Sequence, residues 1–164
     1  MKRSLATMAL CLVPVAATLM SAQTAGAGRG IRPHEPAGKY MTGLVKDKLE
    51  GDYALAWRSL YPRHQRVATL EAYVGCESLI PRPGTLAGVK VLRVFGERIQ
   101  IAGEPRKLKT RAVRIRVAVA SPAFPLFPVT IVQTFHALAV QGQWRWILSA
   151  NQYAYYRAGT CPYG

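Results

Sequence analysis

Lys109–Ala120 reads KTRAVRIRVAVA, in which Val113, Ile115, Val117 and Val119 alternate with Thr110, Ala112, Arg114, Arg116 and Ala118. A period of two residues sends these sets to opposite faces of a strand, one apolar and one largely polar. The second half of the chain therefore reads as a sheet. Val129–Val140 continues it as a long strand, apolar apart from Thr130, Gln133, Thr134 and His136. Gln141-Gly142 is a tight hairpin signal, and Trp144–Tyr156 reads as the last strand, with Trp144, Trp146 and Leu148 on one face. Upstream, Val89–Ile101 reads as a strand, or a bent pair broken at Gly96, and Gly103-Glu104-Pro105 as a turn. Three prolines make residues 121–128 a loop or an irregular edge.

The period changes before Pro81. Tyr40, Met41, Leu44, Val45 and Leu49 recur at spacings of three and four, which predicts a helix from Lys39 to Gly51. Asp52 is placed to cap a second helix, Tyr53 to about Tyr61, with Tyr53, Trp57, Leu60 and Tyr61 on one face. Pro62 ends it, and the chain turns through Arg63-His64-Gln65-Arg66. Thr69 can cap a third short helix running through Tyr73 to Cys76 or Leu79. Helices followed by antiparallel strands joined by short turns form an α+β pattern, with the helices' aromatic stripe buried on one face of the sheet.

The start of the chain has the marks of an export signal. Lys2 and Arg3 precede an uncharged, mostly apolar run from Ser4 to Met20 and a small-residue region. Cleavage after Ala22 or after Ala27 fits, and Ala25-Gly26-Ala27 favours the second; an uncleaved anchor is the alternative. Residues 1–27 are thus expected to be a signal peptide, residues 28–38 a flexible lead-in, and residues 39–164 a single domain in a secreted, periplasmic or cell-envelope protein. The formal net charge is +14. In an exported protein that balance suits anionic lipid headgroups, envelope polymers or acidic partners better than nucleic acid. Cys76 and Cys161, the two cysteines outside the leader, are expected to pair in an oxidising compartment.

The order helix–helix–short helix–long strands resembles the nuclear-transport-factor-2-like, ketosteroid-isomerase-like (SnoaL-like) superfamily. The words that carry the resemblance are Gly51-Asp52-Tyr53, Ala56-Trp57, Leu60-Tyr61-Pro62 and Tyr73-Val74-Gly75-Cys76. They continue in Gly142-Gln143-Trp144-Arg145-Trp146-Ile147-Leu148 and Gly159-Thr160-Cys161-Pro162. Small exported bacterial proteins of this superfamily are similar over about residues 39–162. The resemblance implies a cystatin-like cone: N-terminal helices on a curved antiparallel sheet, a pocket between them, and often a homodimer through the sheet. The cone hosts isomerases, dehydratases, epoxide hydrolases and non-catalytic binding modules, so fold alone does not choose among them.

Proton-transfer enzymes of that superfamily rely mostly on an Asp or Glu held in the cone. Here no Asp or Glu occurs after Glu104, so the three clearest strands carry no carboxylate. The candidates that remain are His136, Asp52 and Tyr53, as base, base and hydrogen-bond donor. His34, His64 and His136 lack metal-ligand spacing, and no metal or cofactor is expected. Trp57, Gln133 and Trp146 are candidate ligand contacts, while Arg114 and Arg116 form either a solvated face or an anion-binding one. The leading expectation is a secreted non-catalytic domain that binds a small apolar ligand, an anionic envelope polymer or lipid, or a protein. The alternative is a small lyase or isomerase using a histidine or a helical carboxylate.

Overall fold

The computed structural model describes residues 33–81, 84–121 and 124–162. The expected signal peptide, residues 1–27, lies outside the described residues. The elements run α1 Ala37–Glu50, α2 Tyr53–Arg58, α3 Pro62–Gln65, α4 Leu70–Ser78, β1 Thr85–Ile99, β2 Leu108–Ser121, β3 Phe124–Val140, β4 Gln143–Trp146 and α5 Ala150–Arg157. The strands form one antiparallel sheet in the order β1-β2-β3-β4, with helices packed on one face. The fold class is α+β, as the change of period predicts.

Val113, Ile115, Val117 and Val119 of β2 are buried against Met41 and Leu44 of α1, Tyr53 and Ala56 of α2, and Tyr73 of α4. Burying apolar side chains in this way stabilises by about 1.5–3 kcal/mol each. The helical layer is joined to the sheet by backbone as well as by packing. Ser59–Tyr61 runs beside β4, with Tyr61 N–H donating to Trp146 O at 2.8 Å and Trp146 N–H to Ser59 O at 3.2 Å. Cys76 at the end of α4 forms a disulfide with Cys161 beyond α5.

Several boundaries differ from the sequence reading. α1 starts at Ala37, two residues early, and the end of the lead-in is tied down because the Trp144 indole donates to Glu35 O at 2.6 Å. Pro62 opens α3 rather than a plain turn, since proline suits a first helical position. β1 begins four residues earlier, runs unbroken past Gly96, and carries irregularities at Leu86/Gly88 and Val91/Arg93. Ser121 pairs with Phe124, so β3 begins inside the segment expected to be a loop. The largest difference is at the C-terminus, where the last strand stops at Trp146. Ser149 and Gln152 form a reciprocal capping box that starts α5 in its place. Gln141 and Gly142, with φ of 49° and 76°, make the expected tight turn.

Candidate functional site

The outer face of the sheet, away from the helices, is set by β2. With Val113 and Ile115 buried, alternation turns Arg114 and Arg116 outward, and both are exposed. In β1, Arg93 lies opposite Arg114 and Lys90 opposite Arg116. Lys90 and Arg93 are three residues apart, a spacing that would put them on opposite faces of a regular strand. Leu92 is skipped in the register, so the bulge returns Arg93 to the face of Lys90. The result is a two-by-two cluster of exposed cations with like charges directly opposed.

Directly opposed side chains on an antiparallel pair stand about 5 Å apart, and like charges there are destabilising. In water the repulsion is about 1 kcal/mol per pair. The neighbours of the cluster on β3, Thr134 and Val132, carry no charge. Arg93 lies 5.1 Å from the Phe95 ring centre. Glu97 is the one acid on the described strands, and it pairs with His136. That contact reaches from β1 to β3 over Ala112, whose small side chain leaves room for it. Among the described residues, no carboxylate pairs with any of the four cations. The cluster can hold phosphate, sulfate or carboxylate groups electrostatically; it contains no nucleophile or base.

The residues picked out by sequence are dispersed. His136 is on the outer face with Glu97, whereas Tyr53 is buried on the helical side at 8% exposure. Asp52 occupies the N-cap position of α2, but its side chain makes no capping hydrogen bond. Trp57 donates to Ala68 O at 2.7 Å and Trp146 to Ala56 O at 2.6 Å, so both indoles brace the helical layer. Gln133, opposite Ile115, is exposed on the helix-facing side of β3.

The Arg63–Arg66 connection proves to be a clamp. His64 is fully buried; its Nε2–H donates to Ala102 O and its Nδ1 accepts from Leu148 N–H, each at 3.0 Å. This arrangement needs a neutral imidazole, and burial accordingly pushes its pKa down. Tyr61 donates to Glu104 Oε1 at 2.5 Å, and Arg63 Nε lies 3.2 Å from the same oxygen. Burial, together with that carboxylate, raises the Tyr61 pKa to about 12.

Sequence reasoning passed over one further pair. Lys48 Nζ is 3.2 Å from Glu77 Oε2, and it lies 5.0 Å from the Trp146 ring centre and 5.8 Å from that of Tyr73. The Glu77 side chain is only 3% exposed. The signal was present: Lys48 stands four residues after Leu44, on the buried stripe of α1.

No protein-family model matches this chain, and no curated protein matches it either.

Proposed function

We propose that this is an exported, non-catalytic binding domain of the nuclear-transport-factor-2-like cone type, which docks on anionic envelope lipid through the outer face of its sheet. The observation that carries this reading is the opposed cation cluster of Lys90, Arg93, Arg114 and Arg116, exposed and without a carboxylate partner among the described residues. An anionic surface relieves the mutual repulsion of these side chains, and their pairing across β1 and β2 lets all four engage together. The basic balance of the whole chain acts in the same direction.

A small ligand held between helices and sheet has weaker support. Met41, Leu60, Tyr73 and Ile115 are fully buried there by their own packing. Proton-transfer chemistry also has weaker support, because His136, Asp52 and Tyr53 do not converge on one site.

Co-sedimentation with phosphatidylcholine vesicles, with and without phosphatidylglycerol, tests the proposal. Binding is expected only to the anionic vesicles and should weaken steeply as salt is raised. Each basic residue near such a surface contributes about 1 kcal/mol. Replacing all four cations by Gln should therefore weaken binding by roughly a thousandfold. Undiminished binding by the fourfold variant would exclude this face.

A further inference from the structure

We infer that the groove between the start of α1, the α2 helix and the β3–β4 hairpin is a binding site for a small organic carboxylate, distinct from the outer sheet face. The groove is open to solvent and offers about 400 Å³, within the range of roughly 300–1,000 Å³ usual for small-molecule sites. Its walls mix apolar surface with two guanidinium groups. Trp144 and Leu55 supply the apolar part, and Leu55 is 48% exposed although it belongs to a helix that packs on the core. Arg58 and Arg145 supply the charge.

The two arginines are prepared differently. Arg145 is fixed in place, donating from one terminal nitrogen to Arg58 O at 2.7 Å and from the other to Gln143 Oε1 at 2.6 Å. Its Nε is buried and has no acceptor among the described residues. Arg58 is exposed, and its guanidinium has no carboxylate partner among the described residues. The acid in the groove wall, Glu35, stands 3.8 Å from Lys39. Other polar groups nearby are engaged: Tyr40 donates to Ser59 O and accepts from Trp146 N–H, and the Ser59 hydroxyl donates to Ala56 O.

No carboxylate among the described residues neutralises either guanidinium, and Arg58 is the one with free donors, beside an indole and an exposed leucine. A planar carboxylate matches the guanidinium fork, and an aromatic or short aliphatic body covers Trp144 and Leu55. The Glu35 carboxylate in the same wall disfavours a doubly charged phosphate and favours a single negative charge.

Titration of the full chain with 4-phenylbutyrate, followed by ¹H–¹⁵N NMR, tests the site. Saturable shifts are expected at Gly142, Trp144 and Arg145, with the uncharged 4-phenylbutyramide binding at least tenfold more weakly. Arg58→Gln should weaken the acid at least tenfold while leaving the spectrum otherwise native, since the side chain is exposed. Arg145→Lys should weaken it further by releasing the bonds that hold Arg58 and Gln143 in the groove wall. Equal binding of acid and amide, shifts confined to other residues, or an unchanged Kd in Arg58→Gln would overturn the inference. So would an equal loss in the fourfold outer-face variant, which would place the anion on the sheet.

Discussion

At the scale of single residues, His64 is a buried group whose place depends on its being neutral, and Lys48 is the half-buried partner of a buried carboxylate. Folding lowers the pKa of His64, so below about pH 6.5, the unperturbed value, the unfolded chain takes up the proton more readily than the native one. The contribution of His64 to stability is complete above that pH and is lost as pH falls towards the lowered native pKa. Urea midpoints measured between pH 7.5 and 5.5 should fall, and the slope should flatten in His64→Phe. That variant should also lose about 1–3 kcal/mol at neutral pH, because Leu148 N–H and Ala102 O lose their partner. Removing Lys48 alone should cost about 3 kcal/mol by leaving the Glu77 carboxylate buried and uncompensated. The double variant Lys48→Met/Glu77→Leu should recover most of that loss in the same denaturation experiment. The role of His64 could not be read from the sequence, where it looked like part of a polar turn; that of Lys48 was signalled only by its place on the buried stripe of α1. Which atom meets each group depends on residues 38 to 84 positions away for His64 and 29 for the lysine–glutamate pair.

Among the elements, the β1–β2 turn and the β3 edge are the informative ones. Gly103 has φ +78°, and a Cβ there would stand 2.7 Å from the Tyr153 hydroxyl. Gly103→Ala should cost more than about 1 kcal/mol, measured as a fall in urea midpoint, because both backbone strain and overlap oppose it. On β3, β4 pairs only with Ala137–Val140, and residues 128–134 are all exposed and uncharged. Among the described residues, no strand covers this edge before Ala137. Ile131, 49% exposed, is a suitable place for a gatekeeper charge. Ile131→Lys should reduce concentration-dependent association in light scattering with little change in thermal midpoint. The period of β2 was legible because one of its faces is buried from Val113 to Val119. α5 was misread because Trp144–Trp146 begin a strand, and the Ser149–Gln152 capping box that interrupts it weighs less in an apolar pattern.

For the whole molecule, the disulfide links two parts of the chain 85 residues apart and fastens the segment after α5 to the helical layer. On the chain-entropy model, closing such a loop stabilises by roughly 4 to 5 kcal/mol. Cys76→Ser/Cys161→Ser should lose a comparable amount in chemical denaturation, and the oxidised protein lacking residues 1–27 should show no thiol that reacts on unfolding. Sequence alone determined the α+β class, the cysteine pair and the lack of carboxylates on the later strands, because periodicity, count and composition are properties of the chain itself. Only the tertiary structure decided that Lys90 and Arg93 share a face, that Glu97 reaches His136 across Ala112, and that Arg58 meets Arg145 in a groove. The first two rest on a bulge and on strand register, which are settled by the partner strand, and the third on where α2 ends beside β4. The alternating stretch Lys109–Ala120 could say which way its own arginines point, but not that two more cations would stand opposite them.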